Sequence, residues 1–479
     1  MSTKPGYHIE GPPGTFLLAT CLPLLLYFLF FTCNDKSGCP APALLELRTI
    51  SLETLKAQIP WPENGLKGLA SWEATSWVLA YYFLNLLLHR ILPAQEVLGT
   101  KLRESGRPLK YRFNAFSTTL AQLIPCVIGT YHYGAGFPLW TYIDRNYLQI
   151  LTANILLAYA ISISLYIRSF SIKPGNSELR ELARGGCTGN LIYDWWMGRE
   201  LNPRITLPLL GEVDIKAALM MRPGLTGWLF LDLAFVAKQY RLHGYISDSI
   251  VFVAAVQAYY VLEGQFAEPG IVGMIDIATD GLGFMLTFGD IAWVPFLYST
   301  QCRYLAVYPV HLGWTGTILV GVVFAVGLYI FRASNSQRNT FRTSPQHHSV
   351  VDLPYLQTRR GTRLLTGGWW GLARHINYFG DWLQAVPFSL PTGWAGYVIL
   401  AADSAAASDA VVQMGDGRVV VQGAARGWGV GYTYLYAVYF AALLLHRERR
   451  DCEACSEKYG EDWEKYKKAV PWRIFPGVY

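Results

Sequence analysis

The stretch GPPGTFLLATCLPLLLYFLFFTCN, at residues 11–34, contains no Asp, Glu, Lys or Arg. A helix of about 20 apolar residues is long enough to cross the ~30 Å hydrocarbon core of a bilayer. The stretch is also too long for the apolar region of a cleaved signal peptide and lacks a small-residue cleavage site. It therefore predicts a transmembrane helix that is retained as an anchor.

Further apolar segments extend this pattern over the rest of the chain. Five more runs carry no charged residue: 113–143, 146–167, 304–331, 382–402 and 427–446. Four weaker segments, some with isolated charges, lie near 72–89, 222–238, 246–262 and 281–301. Hydrophobic residues make up 52% of the chain and charged residues 15%, which excludes a disordered chain. The sequence predicts an all-α, polytopic membrane protein with about ten transmembrane helices.

The distribution of basic residues predicts the topology. With ten spans, the N-terminus, the loops near 90–112, 168–222 and 332–374, and the tail from 447 share one side, and most of the 40 Lys and Arg residues lie there. Basic loops remain cytoplasmic, so we expect both termini in the cytosol. The loops near 35–71, 132–145, 238–248 and 403–426 fall on the other side. The net charge of +6 reflects this topology and gives no reason to expect nucleic acid as a partner.

The domain organisation follows from these spans. Residues 1–12 form a short cytosolic tail, and residues 13–479 form a single membrane domain. No long low-complexity tract interrupts this domain, although 401–427 is rich in Ala, Gly and Ser. We interpret 401–427 as a lumenal loop.

The cysteines do not indicate a metal site. Cys33 and Cys39 lie at the start of a presumed lumenal loop, where they form either a disulfide or two free thiols. Cys452 and Cys455 form a C-x-x-C motif in the cytosolic tail, but tetrahedral zinc would need two more ligands at suitable spacing. No such ligands lie nearby in the sequence, so we expect two unrelated thiols and no metal.

Polar clusters on the predicted cytosolic side are the candidates for a soluble, charged ligand. Arg338 and Arg342 would share one helical face and suit a phosphate dianion, although an ordinary basic flank accounts for them equally. The segment WWGLARHINYFGD at 369–381 has a polar density that an interfacial aromatic belt does not account for. Tyr459, Trp463 and Tyr466 recur at helical spacing, either as packing or as a wall for an adenine ring.

A further cluster lies within the predicted spans. Tyr260 and Glu263 belong to one apolar segment, and three aspartates follow at Asp276, Asp280 and Asp290. Ionisable residues at membrane depth are functional candidates by default, but a structural hydrogen-bond network is an equally good interpretation. No Walker A motif, H-E-x-x-H motif or strand-linked G-x-G-x-x-G motif occurs, so a bound nucleotide would not use a Rossmann domain.

Several of these stretches together resemble the sterol reductase family. GNLIYDWWMGRELNPRI at 189–205, LARHINYFGDW at 372–382 and KYGEDWEKYKKAVPWRIFPGVY at 458–479 are similar to its motifs, in the same order. FFTCNDKSGCPAP at 30–42, the segment 169–186 and the segment 280–314 resemble the fungal C-14 branch of that family.

The resemblance implies a multi-pass enzyme of the endoplasmic reticulum membrane. It would use NADPH to reduce the C14=C15 double bond that lanosterol 14α-demethylation leaves, in ergosterol biosynthesis. Its partners would be a sterol from the bilayer, membrane lipids and other enzymes of sterol biosynthesis. A lateral sterol pocket would join a cytosol-facing nucleotide pocket carried by residues 304–479.

The family's nucleotide contacts map onto matching positions of this chain. The implied cofactor-binding residues are Arg338, Arg342, Leu365, Trp370, Asn377, Tyr378, Asp451, Cys455, Ser456, Glu457, Lys458, Tyr459 and Tyr466. Arg338 stands where the family commonly has Lys, which keeps the charge but changes the geometry of a phosphate contact.

The chemistry of the implied reaction predicts a proton donor. Hydride does not readily attack an unactivated alkene, so a proton must reach C15 first and leave positive charge at C14. We expect Tyr260 to donate that proton with Glu263 as its polariser. Asp276, Asp280 and Asp290 are candidates for an acidic network that stabilises the cation.

Other functions remain open at this point. The chain could be a C-24(28) or C-7 sterol reductase, because those enzymes share the C-terminal motifs. It could be a non-catalytic sterol-binding protein. An isoprenylcysteine-type methyltransferase is disfavoured because its R-H-P-x-Y pattern reads Arg374-His375-Ile376-Asn377-Tyr378 here, without the Pro.

Overall fold

The computed structural model of the chain describes residues 7, 11–46, 48, 50–173, 179–401 and 412–479. Most of the predicted tail 1–12, part of the segment 169–186 and most of the predicted loop 403–426 before residue 412 lie outside the described residues.

The described residues are mostly helical. The helices are α1 (Gly11–Thr32), α2 (Leu52–Gln58), α3 (Trp72–Ile91), α4 (Ala115–Tyr133), α5 (Pro138–Arg145), α6 (Tyr147–Ser169), α7 (Leu191–Met197), α8 (Ile215–Met221), α9 (Pro223–His243), α10 (Asp248–Phe266), α11 (Ile275–Ala278), α12 (Phe284–Phe288), α13 (Val294–Tyr298), α14 (Thr300–Val307), α15 (Gly313–Thr343), α16 (Trp369–Leu372), α17 (Ile376–Ser389), α18 (Val430–Thr433), α19 (Leu435–Tyr459) and α20 (Glu461–Ala469). A π-helical turn at Gly289–Trp293 joins α12 to α13.

Short antiparallel strands accompany the helices. The strands are β1 (Gly38–Cys39), β2 (Gln95–Lys101), β3 (Pro108–Phe113), β4 (Arg204–Leu207), β5 (Gly211–Asp214), β6 (Tyr355–Gln357), β7 (Arg363–Leu365), β8 (Tyr397–Leu400), β9 (Val412–Gln413) and β10 (Val419–Val421). They form a four-stranded sheet of order β1-β8-β10-β9 and three hairpins, β2-β3, β4-β5 and β6-β7. These sheets add strands to the predicted all-α architecture, which is therefore not confirmed as a class.

Membrane-spanning character is confirmed for part of the predicted set. Within the described residues, five helical stretches are long and apolar enough to cross a bilayer: Gly11–Thr32, Tyr147–Ser169, Ile215–His243, Asp248–Phe266 and Gly313–Thr343. The protein is therefore a membrane protein, and the full number of about ten spans stays a prediction.

Several predicted span boundaries are wrong. The run 304–331 is not one helix, because α14 ends at Val307 and α15 begins at Gly313. Pro309 lies in this break, and proline cannot donate the backbone hydrogen bond that a helix interior requires. Similarly, Gly134, with a φ of 57°, ends α4 within the run 113–143.

The run 382–402 contains a strand where its hydropathy predicts a membrane helix. Helix α17 ends at Ser389, and β8 then pairs with β1 and β10. Gly393 (φ 57°) and Gly396 (φ 140°) lie between them in conformations that favour glycine. The part of 401–427 that is described supplies β9 and β10, so this part is an ordered sheet rather than only a loop.

The question of Cys33 and Cys39 is settled by a disulfide between them. The bond closes the turn that leads into β1, which pairs with β8. Nearby, the Lys238 ammonium group lies 2.7 Å from the carboxylates of both Asp35 and Asp144. The attraction of Lys238 lowers the pKa of Asp35 to about 2. The disulfide and the ion pair between Asp35 and Lys238 thus hold the segment after α1 in place.

The chain folds into two compact units. One comprises residues 1–309 and 394–429, and the other comprises residues 310–393 and 430–479. The second unit contains α15 packed on α17, and α17 packed on α19. Gly327 and Gly380 allow the first of these contacts, since a Cβ on Gly380 would lie 2.6 Å from the backbone nitrogen of Phe331.

Candidate functional site

The last turns of α15 carry the two predicted phosphate-binding arginines. Arg338 and Arg342 are one turn apart in a continuous helix, so they share a face as expected. The Arg338 guanidinium lies 4.7 Å from the ring centroid of Trp370, a cation–π contact. Trp370 is held in turn, because its indole nitrogen donates a 2.8 Å hydrogen bond to the carbonyl of Ser334.

The segment between α16 and α17 adds two residues that are not among the predicted cofactor contacts, Arg374 and His375. Both are buried. Their backbone nitrogens donate to the carbonyls of Trp472 and Arg473, at 3.0 and 2.8 Å. The C-terminal motif therefore fixes the position of the preceding R-H pair. Both residues lie within the quoted motif LARHINYFGDW, which is the signal that could have identified them.

Helix α19 places Asp451 against this pair. The Nε2 atom of His375 lies 3.4 Å from Oδ2 of Asp451, and the Sγ atom of Cys455 lies 3.9 Å from the same oxygen. Burial lowers the pKa of His375 to about 4, so the imidazole is neutral at pH 7. Burial also raises the pKa of Cys455 to about 12, so this cysteine is a thiol rather than a thiolate.

The arginines form a group without carboxylate partners among the described residues. Arg338 and Arg374 both act electrostatically on His375 and on Tyr466, and Arg338 and Asp451 both act on Arg342. In the part of the chain that the structure describes, none of the three guanidiniums makes an ion pair within 4.0 Å. With His375 neutral, three positive charges surround one carboxylate, which leaves an excess of positive charge.

Some buried polar atoms of this region lack a hydrogen-bond partner within the described chain. Nε of Arg374 and Oδ1 of Asn377 are among them. A buried donor or acceptor that stays unsatisfied costs free energy, and a ligand with phosphate and amide groups would supply the missing partners. The residues present therefore fit a phosphorylated nucleotide such as NADPH.

Aromatic and apolar side chains surround the arginines. Leu365 and Trp370 share one buried cluster with Phe341 and Val350. Tyr378 stacks on His375, with ring centroids 4.8 Å apart.

The predicted stripe on the tail is part of a packed cluster. Trp463 and Tyr466 are buried beside Tyr459 and Cys455, and the rings of Trp463 and Tyr466 stack with centroids 5.0 Å apart. Burial raises the pKa of Tyr466 to about 12. The stripe therefore packs within its own unit, and this packing holds Tyr466 near the arginines.

The remaining predicted cofactor residues lie at the edges of this region. Asn377 donates from Nδ2 to Oδ1 of Asn335, at 3.3 Å. Ser456, Glu457 and Lys458 form the last turn of α19, where Glu457 and Lys458 are exposed. The structure thus brings Arg338, Arg342, Trp370, Asp451 and Cys455 together, with the other predicted positions around them.

The predicted proton-delivery residues lie in the first unit. Tyr260 and Glu263 are three residues apart on α10, hence on one face. Tyr260 lies against Trp228, with ring centroids 6.2 Å apart. Trp228 is fully buried and donates from its indole nitrogen to Oε1 of Gln257, at 3.3 Å.

The three predicted aspartates surround a residue that the sequence reasoning missed, Lys216. Its ammonium group donates to the backbone carbonyls of Asp276 and Asp280, at 2.7 and 2.5 Å. The carboxylate of Asp214 attracts it most strongly, and those of Asp280, Asp276 and Asp290 also attract it. By sequence, Lys216 counts as an ordinary basic loop residue. Its position in the apolar segment IKAALMM was the available signal.

No metal centre emerges from the geometry. In the parts of the chain that the structure describes, no three His, Cys, Asp or Glu side chains lie close enough to hold a metal ion.

The motif at 189–205 has a structural role. Gly198 packs so closely on the backbone of Gly281 and Gly283 that a Cβ at Gly198 would lie 2.2 Å from the nitrogen of Gly283. The buried Glu200 carboxylate accepts hydrogen bonds from Arg180, at 2.9 Å. This loop therefore positions the 280–290 segment next to Lys216.

Comparison with known proteins gives a consistent result over the whole chain. Delta(14)-sterol reductase ERG24B of Gibberella zeae is 62% identical over 476 residues, covering 99% of each chain. Delta(14)-sterol reductase of Neurospora crassa is 57% identical, covering 99% of this chain and 96% of its own. Delta(14)-sterol reductase erg24 of Schizosaccharomyces pombe is 37% identical, covering 99% and 97%. Residues 5–479 match the family described as Ergosterol biosynthesis ERG4/ERG24 family. The chain therefore belongs to the ergosterol biosynthesis ERG4/ERG24 family.

Proposed function

We propose that this protein is a sterol C-14 reductase, which reduces the C14=C15 double bond of a sterol intermediate with NADPH during ergosterol biosynthesis. The observation that supports NADPH as the cofactor is the group of three arginines, Arg338, Arg342 and Arg374. These arginines have no carboxylate partner within the described chain. The choice of double bond rests on the relatives, which are named delta(14)-sterol reductases.

The nucleotide would be held by the second unit. Guanidinium groups bind phosphates with paired donors, so Arg338 and Arg342 would bind mainly the phosphate that distinguishes NADPH from NADH. The Asp451 carboxylate would stay beside His375, 3.4 Å from its Nε2 atom, rather than pair with the arginines. Cys455, as a neutral thiol, would add no charge. When bound, NADPH would supply the hydride.

The proton would come from the chain itself. Protonation at C15 leaves a cation at C14, so the site needs an acid and a negative environment. Tyr260 is the proposed donor, with Glu263 as its polariser on the same face of α10. Asp276, Asp280 and Asp290 would stabilise the cation. Lys216 offsets part of their charge and fixes the backbone of two of them.

The proposed setting is the membrane of the endoplasmic reticulum. The disulfide between Cys33 and Cys39 supports this, because disulfides persist in oxidising compartments and these residues fall on the predicted lumenal side. The basic segments, including Arg338 and Arg342, fall on the predicted cytosolic side, where NADPH is dissolved. The sterol would enter from the bilayer.

An assay with a defined sterol tests the proposal. Purified full-length protein in phospholipid nanodiscs is given an 8,14-dienol sterol and NADPH, and the product is identified by mass spectrometry and NMR. We expect an 8-enol product and stoichiometric NADPH oxidation. Reduction at C-24(28) or C-7 of matched substrates, with the 8,14-diene unchanged, would instead identify a sister enzyme. Sterol binding without NADPH oxidation would identify a non-catalytic binding protein.

A variant pair serves as the control for this assay. Arg338→Ala combined with Arg342→Ala should abolish activity at low NADPH concentration. Arg426→Ala removes an exposed arginine from the other unit and should retain wild-type activity.

A further inference from the structure

Residues 473–479 form a closed loop that contains none of the proposed cofactor contacts. The main-chain oxygen of Tyr479 accepts hydrogen bonds from three successive backbone nitrogens, beginning with that of Arg473, at 2.7, 3.0 and 3.2 Å. The backbone nitrogen of Tyr479 donates in turn to the carbonyl of Phe475, at 3.0 Å. Gly477, with a φ of 83°, allows the tight turn between them. These bonds bring residue 479 back onto residue 473 and give the 473–479 loop one defined shape.

The side chains of Arg473 and Tyr479 hold each other as well. Nη1 of Arg473 donates to the hydroxyl oxygen of Tyr479, at 3.1 Å. The same guanidinium lies 5.1 Å from the centroid of the Tyr479 ring, a cation–π contact. The Tyr479 side chain therefore stabilises the closed loop beyond what the backbone bonds supply.

Two helices of the second unit anchor the 473–479 loop. Nη1 of Arg473 lies 3.4 Å from Oε2 of Glu448, a carboxylate on α19 whose side chain is fully buried. Glu448 precedes Asp451 by three residues on this helix, so the two share a face. On the other side of the loop, the ring of Phe475 packs edge-on against that of Phe379 on α17, with centroids 5.5 Å apart. The loop is thus tied to both helices that border the candidate site.

The loop and the residue before it also hold the segment that carries the third arginine of the candidate site. The backbone nitrogen of His375 donates to the carbonyl of Arg473, at 2.8 Å. The backbone nitrogen of Arg374 donates to the carbonyl of Trp472, at 3.0 Å. Arg374 is 6% exposed, and its Nε atom is a buried donor without a hydrogen-bond partner in the described chain. Two neighbouring carbonyls therefore set the position of a side chain that is proposed to contribute to NADPH binding.

We propose that Tyr479 is a positioning residue of the candidate nucleotide site. It acts through Arg473, because the ring and hydroxyl of Tyr479 keep the loop closed and the closed loop holds Arg374 and His375. Donors that are fixed before the ligand arrives bind it more tightly, since less freedom is lost on binding. The consequence for NADPH rests on the proposed function, whereas the positioning rests on the contacts of the loop alone.

Hydrogen–deuterium exchange without nucleotide tests the positioning. Full-length wild type and Tyr479→Ala are exchanged in phosphatidylcholine nanodiscs, and the peptide that contains Arg374 and His375 is followed by mass spectrometry. We expect these two amides to exchange about tenfold faster in the variant, because the loop opens more often without the ring and hydroxyl contacts. Peptides of α10 should exchange as in wild type, which excludes general unfolding. Unchanged exchange at Arg374 and His375 would overturn the proposal.

Equilibrium titration with NADPH measures the consequence for the site. Tyr479→Ala should bind NADPH about tenfold more weakly than wild type, and Tyr479→Phe should recover most of this loss because it keeps the ring over Arg473. Tyr355→Ala is the matched control, since the Tyr355 ring also carries an arginine, with the Arg363 guanidinium 5.1 Å from its centroid. It should bind NADPH like wild type. Wild-type affinity in Tyr479→Ala would contradict the proposal.

A double-mutant cycle separates positioning from a general loss of stability. In an Arg374→Ala background, Tyr479→Ala should weaken NADPH binding by less than about twofold, because the side chain that it positions is already gone. An equal loss in both backgrounds would indicate a merely structural role and would refute the positioning of Arg374.

The two measurements also distinguish this proposal from the proposed function. Faster exchange in Tyr479→Ala, with a wild type that binds no NADPH, would keep the positioning role and refute NADPH as the cofactor. Normal NADPH binding by wild type, with unchanged exchange in Tyr479→Ala, would keep the proposed function and refute the role of Tyr479.

Discussion

The imidazole of His375 lies 3.4 Å from the carboxylate of Asp451, in a region where three arginines make no ion pair within the described chain. A carboxylate near several guanidiniums would ordinarily pair with one of them. Here the carboxylate of Asp451 lies beside the buried, neutral imidazole of His375. Arg338 and Arg374 are therefore available to bind a phosphate. This relationship maintains an excess of positive charge where a phosphorylated ligand would bind.

Acid should destabilise the fold through His375. Its pKa is about 4 in the folded chain and about 6.5 when exposed, so between these values the unfolded state binds the proton more tightly. Stability therefore falls as the pH drops below 6.5, by about 2 kcal/mol at pH 5 relative to pH 7.5. Thermal unfolding in detergent should show this loss, and His375→Gln should reduce it. An equal loss in His375→Gln would show that another group is responsible.

Tyr260→Phe should lower turnover by a factor of about 10² to 10⁴, the range for loss of a general acid, while NADPH binding stays normal. Tyr259→Phe is the matched control, because Tyr259 is the neighbouring, partly exposed tyrosine. Steady-state rates and NADPH titrations measure both effects. Near-normal turnover of Tyr260→Phe would remove Tyr260 as the proton donor.

Lys216→Met should destabilise the first unit by about 3–5 kcal/mol, the cost of breaking a buried charged interaction from one side. The substitution removes the ammonium donor from the carbonyls of Asp276 and Asp280 and removes a positive charge that attracts their carboxylates. Thermal unfolding in detergent measures the effect, with Lys467→Met, at a more exposed position on α20, as the control. Wild-type stability of Lys216→Met would mean that Lys216 does not support the acidic network.

The general character of the fold was accessible from the sequence, but its details were not. Charge-free runs identified α1 and α6 well, because soluble domains rarely contain an uncharged apolar run of about 20 residues. The same rule failed where helices end inside uncharged runs, at Gly134, shortly before Pro309 and shortly before Gly393. Hydropathy cannot distinguish a membrane helix from a partly buried apolar strand such as β8.

The candidate site could be predicted only in part. Arg338 and Arg342 follow from helical spacing, and the motif resemblance supplied Trp370 and Asp451. The pairing of His375 with Asp451, and the position of Lys216 among three aspartates, depend on contacts between residues about 60 or more positions apart. Spacing along the chain does not encode such contacts, which are visible only once the neighbouring residues are placed.

Equilibrium binding of NADPH to wild-type protein and to the Arg338→Ala, Arg342→Ala double variant, followed by nucleotide fluorescence, tests the central claim most directly. We predict that wild-type protein binds NADPH more tightly than NADH, and that the double variant loses about 10²-fold or more in NADPH affinity, because charge-assisted bonds contribute about 1.5–3 kcal/mol each. Its affinity for NADH should change far less. An NADPH affinity equal to that of wild type would contradict the assignment of this arginine group to the nucleotide.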